Sequence, residues 1–183
     1  MKTQYYTATS LDGFIASKDH SLQWLFDLGD PEEATFEAFF KNIGALAMGS
    51  HTFEWLMQNH VRPGTPEEQP WPYELPVWIF SSRKLTLPEG ARIGLVDGDV
   101  RMAHREMVEA AGEKNLWIVG GGELVGQFFD AALLDEIIVQ VAPALLGEGM
   151  PLLPRKTRAA QMTLADSRPL GAGFVELRYD MSY

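Results

Sequence analysis

The chain has 183 residues, 46% of them hydrophobic, with five Trp, ten Phe and five Tyr; that suffices for one globular domain burying roughly 70% of the surface its unfolded chain exposes. It has no Cys, which excludes disulfides, thiolate metal sites, iron–sulfur clusters and thiol nucleophiles. A formal charge of −10 argues against a nucleic-acid binder, and neither a membrane span nor a signal-peptide pattern is present, so a soluble, cytoplasmic protein is expected.

Residues 4–10 are rich in strand formers and break at Asp12-Gly13, which predicts a strand running into a loop. Asp30 is placed to cap a helix over 31–42, with Pro31, Glu32 and Glu33 in its first turn and Phe36, Phe39, Phe40 and Ile43 along one face. ALAMG at 45–49 reads as a buried strand ending in Gly. A helix then starts at Ser50 or His51 and carries Phe53, Trp55, Leu56 and Met57. The stretch 61–76 holds five prolines and no periodicity, the mark of an exposed excursion. Strands are expected at 77–80, ending in Ser81-Ser82-Arg83, and at 91–96. Residues 99–111 form an amphipathic pattern through Val100, Ala103, Met107, Val108 and Ala111.

LWIVGGG then predicts a strand entering a glycine loop, and a helix over 122–130 turns Leu124, Val125, Phe128 and Phe129 inward. A strand at 136–142 is followed by a loop punctuated with Pro and Gly instead of a helix. At the C-terminus Val175, Leu177, Tyr179, Met181 and Tyr183 alternate with Glu176, Arg178, Asp180 and Ser182. With QMTLADS this predicts an antiparallel hairpin with one wet face. Repeated strand-helix units followed by strands give an α/β class, with a mostly parallel sheet and an antiparallel edge.

The glycine loop matches neither common phosphate-binding fingerprint. Gly120 and Gly122 fit the first two positions of G-x-G-x-x-G but Val125 stands at the third, and no Gly-Lys-Ser/Thr follows. The physical potential remains: without Cβ atoms, the backbone N–H groups of Gly120, Gly121 and Gly122 can approach a phosphate closely, with a helix start behind them. Gly49-Ser50-His51-Thr52 is a second such turn, and Ser81-Ser82-Arg83 ends a third strand with two hydroxyls and a cation. In a parallel sheet the carboxyl ends of these strands share one edge, so three anion-binding loops are expected to face one cleft.

In order, the segments SLDGFIA, MGSHTFEW, SSR, VGGGELVGQFF and PALLGEGMPLLP resemble the dihydrofolate reductase superfamily. The likeness is greatest to the reductase domain at the C-terminal end of the bifunctional riboflavin-biosynthesis deaminase-reductase. The resemblance implies a three-layer α/β/α fold filling residues 1–183 as one domain, and a homodimer formed through the C-terminal strands. It also implies a stand-alone NADPH-dependent oxidoreductase, lacking the deaminase half, that transfers hydride to a C=N or C=O carbon. The acceptor would be a heterocyclic or sugar-linked substrate of the 5-amino-6-(5-phosphoribosylamino)uracil type. Dihydrofolate reductase is the enzyme alternative, and a non-catalytic nucleotide-binding protein the reading from another class.

Carried onto this chain, the resemblance places the pyrophosphate at Gly49, Ser50, His51 and Thr52 and at Val119, Gly120, Gly121, Gly122, Glu123 and Leu124, with a cis peptide at Gly120-Gly121. Ser81, Ser82 and Arg83 would lie near the adenosine 2′-phosphate. SLDGFIA would be the loop over the nicotinamide, contacted through Ala8 and Ile15 and pinned by Asp12. A substrate acid would sit near Glu33, with Asp30 and Glu37 as neighbours. Trp24 and Phe53 either line a substrate pocket or fill core, and His104 is expected at the surface. No His or carboxylate cluster has metal-ligand spacing, so no metal is expected. A sugar phosphate calls for clustered cations, whereas Lys18, Arg62, Arg155, Lys156 and Arg158 are scattered.

Overall fold

The structure is a computed structural model describing residues 1–29 and 33–183. Strand β1 (Thr3–Ser10) is followed by short β2 (Phe14–Ala16), helices α1 (Gln23–Phe26) and α2 (Glu33–Phe40), strand β3 (Ile43–Gly49) and helix α3 (Ser50–Leu56). After the excursion come β4 (Val77–Phe80), β5 (Ile93–Val96), α4 (Val100–Ala111), β6 (Asn115–Gly120), α5 (Gly122–Asp130) and β7 (Glu136–Ala142). β8 (Met150–Pro151), β9 (Met162–Pro169) and β10 (Val175–Met181) complete the strands.

Eight strands form one sheet in the order β5-β4-β3-β6-β1-β7-β10-β9, and β2 pairs with β8 beside it. The strands from β5 to β7 run parallel, whereas β10 is antiparallel to both β7 and β9. β3 alternates its residues between two cores, as a central strand covered on both faces must. Ala45 and Ala47 join Tyr5, Leu116 and Ile118 under α4 and α5. Leu46 and Met48 join Tyr6, Trp117 and Phe53, against which Phe39 and Phe40 of α2 pack. The result is the expected three-layer α/β/α arrangement with an antiparallel C-terminal edge. No helix among the described residues is long and apolar enough to cross a membrane.

Local chemistry accounts for the helix limits. The Asp99 carboxylate accepts from the Arg101 N–H at 2.8 Å and so caps α4, an interaction worth about 1 kcal/mol. α3 continues through a wider π turn over Met57–Val61 and ends at Arg62, whose backbone is left-handed at φ 52°. Residues 62–76 form neither helix nor strand. The helix expected over 31–42 is described from Glu33 to Phe40; Asp30, Pro31 and Glu32, including the expected cap, lie outside the described residues.

The C-terminal hairpin departs from the simple alternation. Glu176 is 3% exposed while Val175 is 40% exposed, so the nominally wet face is buried at that point. The carboxylate is satisfied there by Arg168, at 2.8 Å, and by the Gln140 amide, at 3.4 Å, which allows a charge inside the sheet. The pairing of β10 with β9 also slips between Arg178 and Tyr179. Two- and three-residue strands leave no periodic trace, and β8 accordingly falls within the segment read from sequence as loop.

Candidate active site

A cleft of about 760 Å³ opens where the carboxyl ends of the parallel strands meet the loops that follow them. The turns at 49–52 and 119–124 form its floor. They abut closely: a Cβ built on Gly49 would lie 3.7 Å from both the Gly120 carbonyl oxygen and the Gly121 nitrogen.

The three consecutive glycines serve three purposes. Gly120 has φ 149° and joins Gly121 through a cis peptide bond, and a Cβ on it would lie 3.4 Å from Thr52 Oγ1. Gly121 is extended, at φ −90° and ψ −178°, and a Cβ there would meet only Ile15 Cδ1 at 3.9 Å. Gly122 serves packing: its Cβ would fall 2.3 Å from the Pro151 carbonyl oxygen, so its bareness lets β8 pack on α5. Neither Gly49 before α3 nor Gly121 before α5 supplies a side-chain cap. The first-turn N–H groups of α5 therefore remain available to an anion.

The third expected loop is tied to the second. Arg83 donates through Nη2 to Ser50 Oγ at 3.0 Å and pairs with Glu54 at 2.9 Å. The Ser81 hydroxyl shapes the turn, accepting from the Arg83 N–H and donating to the Arg83 carbonyl. Ser81, Ser82 and Arg83 lie outside the cleft lining, and Ser82 and Arg83 are exposed. His51 stacks on His20, with centroids 4.6 Å apart and planes 6° from parallel. His20 reaches this position from a turn where its own φ is 61°.

SLDGFIA and the segment around GEGMP form one structural unit. The Asp12 carboxylate accepts from Ser10 Oγ at 2.6 Å, Leu146 N–H at 3.1 Å and Gly147 N–H at 2.7 Å. The Ser10 hydroxyl, followed by these amides, holds the carboxyl below the usual range. A Cβ on Gly149 would lie 2.2 Å from the Ala16 carbonyl oxygen, so β2 and β8 touch backbone to backbone. Ile15 lines the cleft, whereas Ala8 and Asp12 do not; Thr7 is the β1 residue that does.

Other candidates lie elsewhere. Phe53 is 2% exposed in the α2/α3-side core, and Trp24 packs beside Ala142, Leu170 and Phe174. Neither lines the cleft. The Glu33 backbone begins α2, but its side chain, like Asp30, lies outside the described residues. His104 corrects the surface expectation: it is half-buried and hydrogen-bonds Thr3 Oγ1 at 2.9 Å. Desolvation lowers its pKa, partly opposed by Asp135. No group of three or more metal-ligating side chains occurs among the described residues.

Sequence reasoning passed over Thr7, His20, Leu22, Tyr73 and Met150, all of which line the cleft. The usable signal for Tyr73 was a pair of aromatics, Trp71 and Tyr73, in an otherwise polar, proline-rich stretch.

A three-layer α/β/α domain with paired glycine turns at the carboxyl edge of its sheet has the architecture of the dihydrofolate-reductase-like class. Enterococcus faecalis dihydrofolate reductase shares the fold at TM-score 0.61 and 15% identity, with 100% of this chain and 97% of that one covered. The family model for the RibD C-terminal domain matches residues 2–175, and the chain belongs to that family. Bacillus subtilis YwjB is 29% identical over 178 residues, spanning 97% of each protein. A crystal structure from Shewanella sp. PV-4, of a protein named for riboflavin biosynthesis, matches at TM-score 0.82 and 27% identity over 100% of both chains. Membership in this family accords with hydride-transfer chemistry.

Proposed function

We propose that the chain is an NADPH-dependent reductase that delivers hydride to a C=N or C=O carbon of a heterocyclic or sugar-linked substrate. The observation carrying this reading is the abutment of the turns at 49–52 and 119–124, which leaves a Cβ-free surface of backbone at the start of α5. Such a surface fits a pyrophosphate because amides can approach it without a side chain intervening. The amides of 121–124, the Ser50 and Thr52 hydroxyls and His51 would hold the pyrophosphate. Arg83, released from Glu54, would face the 2′-phosphate.

The bound nicotinamide supplies the hydride. The chain's own residues supply position and a dry compartment. Ile15, Leu22 and Met150 give the cleft apolar wall, and Asp12 fixes the loop carrying Ile15 through its bonds to 146 and 147. An acid near Glu33, with Asp30 and Glu37 as its neighbours in sequence, would protonate the reduced substrate. Dihydrofolate reduction is the enzyme alternative, and nucleotide binding without turnover the non-enzymatic one.

Titration with NADPH and NADH, read by tryptophan quenching, tests the proposal. Saturable binding with preference for NADPH is expected, and Gly121→Ala should weaken it in a folded protein. Absence of binding to either nucleotide would return the glycine loop to a packing turn.

A further inference from the structure

We propose that the substrate is an uncharged, planar heterocycle without a phosphate ester, held by a hydrogen bond from the Tyr73 hydroxyl. This rests on the reductase reading above and specifies what its cleft accepts.

The cleft has two distinguishable ends. Arg83 follows β4 and is tied to the 49–52 turn, which marks the end for the adenosine side of a dinucleotide. Tyr73 leans edge-on against Trp117 of β6, with centroids 6.1 Å apart and planes at 90°. In the sheet order, β6 lies two strands from β4. The lining also includes Leu22, Trp55 and Leu56. Trp55 is backed by Phe26 at 5.9 Å, nearly parallel at 24°. Flat apolar surface of this kind suits a stacked ring.

Tyr73 is the polar exception. Its ring is fixed by Trp117 and by Trp71, at 5.6 Å and 77°, yet its hydroxyl has no hydrogen-bond partner among the described residues. Burial pushes the phenol up to about 12, so it remains protonated at neutral pH and acts as a donor. A ring carbonyl or ring nitrogen is the complementary acceptor.

The electrostatics of the cleft disfavour a phosphate at this end. No Lys or Arg lines the cleft among the described residues. Among the described residues the ionisable lining groups are His20, His51, Tyr73 and Glu123. The two histidines stack beside the 49–52 turn, and Glu123 is paired with Arg155 at 2.8 Å. Lys18 is engaged by Glu148 and Arg62 by Glu67, while Arg155 also binds Asp130. A phosphate dianion would therefore lose hydration without gaining a cationic partner. This separates the chain's substrate from the phosphoribosyl compound implied by the family resemblance.

The test uses the full chain saturated with NADP⁺, which keeps phosphate probes out of the pyrophosphate turns. Calorimetric titrations compare uridine with uridine 5′-phosphate and pyridoxine with pyridoxine 5′-phosphate. In each pair the unphosphorylated compound should bind at least about tenfold more tightly. Tyr73→Phe should weaken that binding about tenfold by deleting one hydrogen bond, with NADP⁺ affinity and melting temperature unchanged. Leu22→Lys should narrow the difference within each pair. Equal or tighter binding of the phosphates, binding by neither member, or indifference to Tyr73→Phe overturns the proposal. Failure of NADP⁺ and NADPH to bind overturns the reductase reading instead, and the first titration distinguishes the two failures.

Discussion

Gly121→Ala and Gly122→Ala place the same methyl group one residue apart and should have opposite consequences. At Gly121 the backbone is ordinary extended chain, at φ −90° and ψ −178°, and the new Cβ meets only Ile15 Cδ1 at 3.9 Å. Alanine fits without conformational cost and should change stability by no more than about 1 kcal/mol. The methyl nevertheless enters the cleft where a phosphate would approach the amides. Displacing about two charge-assisted hydrogen bonds costs roughly 3 kcal/mol, or about a hundredfold in NADPH affinity. At Gly122 the Cβ would sit 2.3 Å from the Pro151 carbonyl oxygen and 2.8 Å from that of Leu152. Backbone must move, an overpacking cost of about 1–3 kcal/mol, and melting should fall by about 2–4 °C for each kcal/mol. Thermal melts and NADPH titrations on both variants read the contrast. A Gly121→Ala protein that binds NADPH like wild type, or a Gly122→Ala protein that melts with wild type, refutes the division of labour among the glycines.

Arg83→Ala should weaken NADPH binding about tenfold while leaving NADH affinity unchanged, and Glu54→Gln, which frees Arg83 from its 2.9 Å partner, should strengthen NADPH binding; paired titrations with both nucleotides check this. Asp12→Ala should lower the melting temperature at neutral pH. Because the folded carboxyl lies below its usual range, its stabilisation is present above the unfolded pKa and lost as pH falls through the folded one, so the gap between variant and wild type should close in acid melts. For His104 the folded pKa is also depressed; its neutral form is favoured by folding, so the loss begins as pH falls below the unfolded imidazole value, about 6.5. His104→Gln should flatten that part of the stability profile, measured by denaturant titration between about pH 7 and 5.

The parts legible in the sequence were those governed by periodicity or by backbone freedom. The runs at 77–80, 122–130 and 136–142 have the same limits in the structure, because each is bounded by turn residues and buries a continuous apolar face. The glycine turns were legible because bare backbone at a strand-to-helix junction is itself a chemical signal. Contacts made by single residues from irregular chain left less trace. Tyr73 reaches the cleft from a stretch whose prolines announce only exposure, and His20 does so from a left-handed turn position at which Gly, Asn or Asp is the usual residue. Glu176 looked solvent-facing because alternation carries no information about a partner eight residues away in sequence and opposite in space.

The same distinction bears on how the cleft is built. The fold of this chain brings backbone directly against backbone at Gly122 and Pro151, at Gly149 and Ala16, and at Gly44 and Ala111, where a Cβ would meet the carbonyl oxygen at 2.6 Å. Such contacts tolerate little variation, since any side chain forces whole segments apart. The first two hold β8 against β2 and against the glycine turn before α5, beside the cleft. Another part of its lining comes from His20, Leu22, Trp55, Leu56 and Tyr73, of which Trp55 packs on Phe26 and Tyr73 on Trp117 of the sheet. Exchanging the Tyr73 hydroxyl there would change what the cleft accepts without disturbing the sheet. Tyr73→Phe should therefore alter acceptor binding while NADPH affinity stays near the wild-type value. Simultaneous loss of both in Tyr73→Phe, with the fold intact, would show that the two halves of the cleft are not separable.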